Sequence, residues 1–167
     1  MALMTTRRAD IEHHLAKYPD KRSAVMPLLY IAQEEYGHIT QEAIAEIAEI
    51  IDVDVTHIRG LIGFYTMYHD KPKGRHLLYI CTDLPCAVRG AEAFSEQIQE
   101  HLGIGHGDTT ADGMFTLENV MCIGACHRAP VMQVDFRFNY NGANWEDLTF
   151  ERAKQQIEDL REAQQTE

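Results

Sequence analysis

Four cysteines, arranged as two pairs, constrain this chain more than any other feature of its sequence. The first pair is Cys81 and Cys86, and after 35 intervening residues comes the second, Cys122 and Cys126. The sequence contains no other cysteine. Two segments that each offer two thiolates can enclose one metal centre, and four thiolates suit either zinc or an iron–sulfur cluster. The fold is then expected to bring both segments to one place.

The spacing within each pair bears on the choice of metal. Structural zinc typically uses cysteines with two residues between them, whereas four and three residues separate the cysteines here. A [2Fe–2S] cluster is wider, because each of its two irons takes two thiolates, so longer spacers are compatible with it. The plant-type ferredoxin pattern places three ligands in one segment, and this two-plus-two division differs from it. The spacing favours a cluster, with zinc as the alternative.

Two disulfides, or four unrelated core thiols, are the remaining alternatives. Disulfides need an oxidising compartment, and the first residues contain no apolar stretch typical of a secretory signal. Unrelated core thiols rarely cluster in turns that also contain glycine and proline. Both alternatives are therefore less favoured than a metal centre.

The charge of the chain limits its partners. The formal net charge is −11, and residues 1–70 carry 6 basic and 11 acidic side chains against 9 and 15 in residues 71–167. An acidic surface spread in this way disfavours nucleic acid and anionic lipid. No run of apolar residues approaches the 18 or so that a membrane-spanning helix needs. We expect no nucleic-acid partner, no direct membrane insertion and a cytoplasmic location.

Residues 1–70 have the periodicity of helices, and we expect an N-terminal helical bundle of four. Apolar residues recur at helical spacing in three stretches: Ile11, Leu15 and Tyr18; Leu28, Leu29 and Ile31; and Ala43, Ile44, Ile47 and Ile51. Gly37 is a typical helix stop, and Thr40 and Asp54 are typical N-caps. This half contains no cluster of metal ligands, so we predict that residues 1–70 serve as a docking element.

Residues 71–167 alternate between strand and helix patterns after a break at Pro72 and Gly74. The expected elements are a strand at 76–80, a helix at 86–101, strands at 114–121 and 131–135, a hairpin turn at Asn141 and Gly142, and a helix at 150–163. This order predicts an α/β (α+β) fold in which both cysteine pairs lie in loops beside strand ends.

These motifs resemble the [2Fe–2S] small subunit, of the 24-kilodalton type, of the NADH dehydrogenase module of respiratory complex I. The resemblance covers about residues 10–162. It rests on Cys81-x4-Cys86 followed by Arg89-Gly90, Asp112-Gly113-x-Phe115, Cys122-x-Gly124-Ala-Cys126-x3-Pro130, and the upstream Tyr36-Gly37, Gly63-Phe64-Tyr65 and Pro72-x-Gly74-Arg75. The acidic, aromatic stretch 136–147 is longer than the family pattern leads us to expect.

The resemblance implies a thioredoxin-like [2Fe–2S] ferredoxin domain over residues 71–167, with one cluster bound by Cys81, Cys86, Cys122 and Cys126. It implies an electron-transfer component of NADH-quinone oxidoreductase that exchanges single electrons with FMN. FMN and NADH would be bound by a flavin-bearing partner subunit, and larger iron–sulfur subunits of the same complex would be further partners. The assembled complex would place the chain at the periphery of the inner membrane, on the cytoplasmic side.

The sequence contains no nucleotide-binding fingerprint, neither GxGxxG nor a Walker pattern. We therefore expect no activity towards NADH from the chain alone, although it would be part of an oxidoreductase. The equivalent subunit of an NAD-linked hydrogenase or formate dehydrogenase is an alternative, because it uses the same module. A zinc-stabilised interaction domain is an alternative of a different class.

Residues beside the cysteines are candidates for tuning the centre. Gly124 permits the turn that a loop around a cluster needs. Arg128 and His127 follow Cys126 directly and could offset the charge of an anionic cluster, although a solvated surface arginine is the simpler interpretation. An all-cysteine site in an acidic chain predicts a low reduction potential.

Overall fold

The computed structural model describes residues 2–136 and 139–165. The chain divides into two compact units, Met1–Pro72 and Lys73–Glu167. Helices make up the first unit, and a four-stranded sheet with helices makes up the second. The expected fold class, helices followed by an α/β part, is confirmed. No helix within these described ranges is long and apolar enough to cross a membrane.

The first unit contains the helical elements that the periodicity predicts, preceded by a short additional helix. The helices are α1 (Leu3–Thr6), α2 (Arg8–Ala16), α3 (Val25–Tyr36), α4 (Gln41–Ile51) and α5 (Val55–Phe64), with a 3₁₀ turn at Lys21–Ala24 before α3. Gly37 ends α3 with φ of 78°. Thr40 Oγ1 accepts from Ala43 N at 3.1 Å, and Asp54 Oδ1 accepts from Thr56 N at 2.7 Å. The predicted stop and both predicted N-caps are confirmed.

The helices bury the apolar stripes identified in the sequence. The core of this unit includes Ile11, Leu28, Leu29, Ile44, Ile47 and Ile58. A buried glutamine, Gln33, holds the segment after α5 in place: its side chain donates to Met67 O at 3.0 Å and accepts from His69 N at 2.7 Å. A buried amide is stable only when its hydrogen bonds are made, and here both ends are used.

The second unit is built on a sheet with strand order β2-β1-β3-β4. The strands are β1 (His76–Cys81), β2 (Phe115–Val120), β3 (Met132–Phe136) and β4 (Asn139–Trp145), and the helices are α6 (Leu84–Val88), α7 (Ala91–Leu102) and α8 (Phe150–Gln165). Strand β1 pairs in parallel with β2 and antiparallel with β3. Parallel neighbours need a crossover, which α6 and α7 provide.

The expected continuous helix over 86–101 is wrong in one respect, because the chain breaks between α6 and α7. Arg89 follows the last residue of α6, and Gly90 has φ of 90°. Glycine adopts this left-handed conformation readily, whereas a helix interior cannot contain it. The break separates the short helix that contains Cys86 from α7.

The expected hairpin turn at Asn141 and Gly142 is also wrong. Both residues lie within β4, in the irregular stretch between the pairs Val134↔Ala143 and Phe136↔Asn139. Three residues of β4 stand opposite one of β3 there, so the dipeptide is part of a bulge, which suits asparagine and glycine. The link between β3 and β4 falls on residues 137 and 138, outside the described residues.

The sheet core surrounds β1, which is buried along nearly its whole length. It includes Leu78, Ile80, Phe94, Phe115, Leu117, Met132 and Ile157. Strands β2 and β3 flank β1, so the segment that connects β2 to β3, residues 121–131, must pass across the carboxyl end of β1. Cys81 is the last residue of β1 and lies at that end.

Candidate metal centre

The first cysteine pair is held by the end of β1 and the short helix that follows. Cys81 N donates to Val131 O at 3.2 Å, which fixes the cysteine at the sheet edge. Asp83 caps α6 by accepting from Leu84 N at 2.9 Å, and Cys86 N donates to Asp83 O at 2.8 Å. Cys86 is thereby placed in the first turn of α6, close to Cys81.

The second pair lies in the segment that crosses the end of β1. Cys122 comes two residues after β2, and Cys126 opens a 3₁₀ turn over Cys126–Arg128. Gly124, between them, has φ of 83°, while no atom lies within 4 Å of the position of a Cβ there. The predicted turn role of Gly124 is confirmed, and the requirement is backbone conformation rather than space.

The thiols of the two cysteine segments lie close enough to interact electrostatically. All four are free; Cys81 and Cys86 are buried, Cys126 is half-buried and Cys122 is exposed. Burial, followed by a hydrogen bond with Cys81, raises the pKa of Cys86 to about 12, and the other two thiols add to the effect. A hydrogen bond with Cys122, followed by burial, raises the pKa of Cys126. The thiols of the two cysteine segments are thus neighbours in space.

This arrangement fits a [2Fe–2S] cluster. Such a cluster needs two thiolates for each iron, and each cysteine segment supplies two. Within residues 2–136 and 139–165, no group of three or more His, Cys, Asp or Glu side chains is arranged to hold a single metal ion. What the structure does bring together is two pairs, from two segments, at one sheet edge.

Small apolar side chains surround the buried thiols. Cys81 and Cys86 pack with Ala91, Ala125, Ala129 and Val131, and the half-buried Ile123 lies against them. Larger apolar side chains nearby in the sequence are exposed instead: Leu84 by 73%, Val88 by 80% and Met121 by 70%. Single exposed apolar residues are ordinary, whereas three that adjoin the cysteines in sequence suggest a contact surface.

The two charged candidates beside Cys126 are differently placed. Arg128 Nε lies 3.1 Å from Glu146 Oε2, and Arg128 Nη2 lies 2.6 Å from Asp147 Oδ2. His127 is exposed in the 3₁₀ turn. Two carboxylates therefore share the charge of Arg128, and its expected influence on a cluster stays a prediction, as does that of His127.

One residue at the site was missed as a contact by sequence reasoning. Arg89 Nε donates to Ala129 O at 3.1 Å and so connects the first cysteine segment with the second. The sequence did single out Arg89-Gly90, directly after the first cysteine motif. Helical periodicity, however, contains no information about a partner 40 residues away in the chain.

The cysteine geometry agrees with the comparison with known families. A family model described as thioredoxin-like [2Fe–2S] ferredoxin matches residues 11–161. The chain belongs to this family. A [2Fe–2S] cluster is the cofactor after which the family is described, in agreement with the two thiol pairs of this ferredoxin.

Curated relatives of this chain are subunits of NADH-quinone oxidoreductase. It is 44% identical over 145 residues to an NADH-quinone oxidoreductase subunit of Rhizobium meliloti, with 86% of each chain covered. It is 40% identical over 137 residues to an NADH-quinone oxidoreductase subunit of Thermus thermophilus, covering 81% of this chain and 76% of the relative. The ferredoxin spans 58% of the length of the corresponding protein of Mycobacterium tuberculosis, to which it is 36% identical. The resemblance identified in the sequence is confirmed.

A solved structure shares the fold. A chain of the NAD+-reducing [NiFe]-hydrogenase in its air-oxidized state superimposes with a TM-score of 0.65 at 20% sequence identity. The match covers 81% of this ferredoxin and 23% of the hydrogenase chain. At this identity the likeness concerns the fold alone.

Proposed function

We propose that this ferredoxin is the electron-transfer subunit of an NADH-quinone oxidoreductase, and that Cys81, Cys86, Cys122 and Cys126 hold its [2Fe–2S] cluster. The observation that carries the proposal is the convergence of both cysteine segments at the carboxyl end of β1, where Cys81 Sγ donates to Met121 O, next to Cys122, at 3.8 Å. The relatives named NADH-quinone oxidoreductase subunits support the choice of complex.

The chain would supply the ligands of the cluster, its burial and the charges around it. A bound [2Fe–2S] cluster supplies the chemistry of accepting and donating single electrons. The four thiols must lose their protons to act as ligands, and in the protein without a cluster burial raises the pKa of Cys86 while the neighbouring Cys122 raises that of Cys126. The net charge of −11 disfavours a further negative charge, so we expect a low potential, in the direction of the about −400 mV of plant-type ferredoxins.

Oxidation of NADH is assigned to a partner. Hydride transfer needs a flavin or an equivalent that splits two electrons into single ones, and this sequence contains no phosphate-binding glycine loop. A flavin-bearing subunit would therefore bind FMN and NADH, with larger iron–sulfur subunits beyond it. On this proposal the chain has no activity towards NADH by itself. It would lie at the periphery of the inner membrane on the cytoplasmic side.

Two exposed apolar features offer contact surfaces for that partner. Leu84, Val88 and Met121 are exposed beside the cysteines in sequence, which suits a short path for electrons. In the first unit, the ring of Phe64 is 76% exposed. Exposed aromatic side chains are enriched where proteins meet. We propose that residues 1–70 are a docking domain, with Phe64 among its contact residues, and that residues 71–167 are the cluster domain.

Docking is tested with a matched pair of variants. Phe64→Ser should weaken binding to the flavin-bearing subunit at least tenfold, which is about 1.4 kcal/mol. Tyr18→Ser changes another exposed aromatic residue of the same unit and should leave binding unchanged. Isothermal calorimetry with the loaded ferredoxin measures both. Equal affinities for the Phe64 variant and the wild type would remove Phe64 from the docking surface.

The function itself is tested by electron paramagnetic resonance (EPR). The purified protein should contain about two irons and two labile sulfides per chain. Dithionite should produce a reduced-cluster signal, NADH alone should not, and NADH together with the flavin-bearing subunit should. A colourless protein with one zinc would establish the interaction-domain alternative. A signal with NADH alone, in a flavoprotein-free preparation, would show that the chain binds the nucleotide.

The hydrogenase or formate dehydrogenase alternative needs a different experiment, because it uses an equivalent subunit. The complex purified through a tag on this chain should reduce quinone with NADH. Oxidation of hydrogen or formate by that complex, without quinone reduction, would assign the chain to the alternative.

A further inference from the structure

We propose that Arg89 is a positioning residue, a strut that joins the two cysteine segments and thereby fixes the separation of the two thiol pairs. The inference deepens the proposed function and rests on its ligand set. It concerns the side chain that follows the first cysteine motif, for which the sequence provided no role.

The strut connects equivalent points of the two segments. Arg89 comes three residues after Cys86, and Ala129 comes three residues after Cys126. Arg89 Nε donates to Ala129 O at 3.1 Å. At the ends of the strut, Arg89 N donates to Cys86 O at 3.0 Å and Ala129 N to Cys126 O at 3.5 Å. A continuous chain of bonds therefore runs from Cys86 through Arg89 and Ala129 to Cys126.

The surroundings of the strut favour a fixed geometry. Ala129 is 2% exposed and packs in the same apolar cluster as Cys81 and Cys86. A carbonyl in such a place depends on its partner, and a charged donor makes a stronger bond than a neutral one. Arg89 is the C-cap of α6, and Gly90, with φ of 90°, turns the chain into α7 directly after it.

The other arginine of the site provides a contrast. Arg128 ties the second cysteine segment to the stretch before α8 through Glu146 and Asp147. Backbone bonds make the same connection, from Asp147 N to Arg128 O at 2.7 Å and from Leu148 N to Pro130 O at 3.1 Å. Removing the Arg128 side chain leaves these bonds in place, whereas removing that of Arg89 deletes the bond it makes to Ala129.

The test uses the full loaded chain and four variants. Arg89→Met removes the donor and keeps most of the apolar stem, and Arg89→Lys restores a donor of similar reach. Arg128→Met removes the other arginine of the site, whose connection to the stretch before α8 is also made by backbone hydrogen bonds. Arg75→Met removes one positive charge at the opposite end of β1 from the cysteines. Arg75 lies about 20 Å from Cys81, because the six residues of β1 separate the two ends. Iron content, the EPR line shape and the half-life of the cluster in a chelator are measured for each.

We expect Arg89→Met to shift the EPR g-values and to shorten the half-life in chelator by about ten- to a hundredfold, the range for one charged hydrogen bond. Arg89→Lys should recover most of the half-life and the wild-type line shape. Arg75→Met should remain within about twofold of the wild-type half-life, and Arg128→Met, whose charge is a candidate for tuning the centre, should shorten the half-life less than Arg89→Met does. If Arg89→Met takes up no iron, a loaded Arg89→Lys with the wild-type line shape supports the strut.

Three results would contradict a positioning role for Arg89. They are a wild-type half-life and line shape in Arg89→Met, a change of half-life in Arg75→Met equal to that in Arg89→Met, or an Arg89→Lys variant that contains as little iron as Arg89→Met. These results are distinct from failure of the proposed function. If the ligand set is wrong, the wild-type protein itself lacks two irons or a Cys→Ala variant keeps its cluster, whatever the arginine variants show.

Discussion

Gly74 N donates to Thr116 Oγ1 at 2.6 Å, which joins the residues before β1 to the second residue of β2. The approach leaves no room for a side chain on Gly74. A Cβ there would lie 2.7 Å from Phe115 C and 2.8 Å from Thr116 N, both of them backbone atoms of a buried strand. The parallel pairing of β1 with β2 therefore begins at a position that requires glycine.

We predict that Gly74→Ala destabilises the second unit by about 1–3 kcal/mol, because backbone must move to admit the methyl group. Gly60→Ala is the matched control. Nothing lies within 4 Å of a Cβ at Gly60, which is inside α5, so alanine should stabilise that helix by about 0.5–1 kcal/mol. Urea denaturation followed by circular dichroism measures both, and a neutral Gly74→Ala would contradict the close approach.

Replacing any one cysteine of the four by alanine should abolish or convert the cluster. Cys81→Ala and Cys86→Ala change buried side chains, whereas Cys122 is exposed, so the alanine variants of the first pair should also lower the stability of the unloaded protein more. Serine should retain a weakened site. Iron analysis and EPR measure how much cluster each variant retains. Full wild-type signal intensity in one alanine variant would remove that residue from the ligand set.

Removing the cluster with a chelator should loosen the second unit and leave the first nearly unchanged. Metal binding free energy contributes to folding free energy, and the four proposed ligands all belong to residues 73–167. Hydrogen exchange should increase in peptides covering 81–90 and 121–131, and stay constant in those covering α3 and α4. Equal loss of protection in both units would show that the cluster stabilises the chain as a whole.

Loss of the N-cap at Thr40 should cost about 1 kcal/mol, because the hydroxyl satisfies Ala43 N at the start of α4. Thr40→Ala tests this, and Thr40→Ser should be close to the wild type. Thr6→Ala is a control in the same unit, since the hydroxyl of Thr6 bonds back to Ala2 O of its own helix. Equal stabilities for Thr40→Ala and Thr6→Ala would argue against the cap.

That both cysteine segments lie beside strand ends was predictable, because each pair adjoins a strand pattern in the sequence. Cys81 ends a buried apolar strand and Cys122 closely follows another, and the carboxyl ends of parallel strands meet at one sheet edge. The stop at Gly37 and the caps at Thr40 and Asp54 were predictable for a similar reason, since each acts on its own neighbours in the chain.

Contacts that depend on the tertiary fold were not predictable. The bond from Arg89 to Ala129 joins residues 40 apart and leaves no periodic trace in the sequence. Asn141 and Gly142 suit a turn and a bulge equally well, and strand pairing decided between the two. The break before α7 was not predicted either, because Gly90 interrupts a sequence pattern that is otherwise helical.

The unequal exposure of the four thiols determines which of them is oxidised first. Cys81 and Cys86 are sealed from solvent, while Cys122 is exposed. Peroxide and other small oxidants attack accessible sulfur first. In the protein without a cluster, oxidation should therefore begin at Cys122, which would remove one of the four proposed ligands.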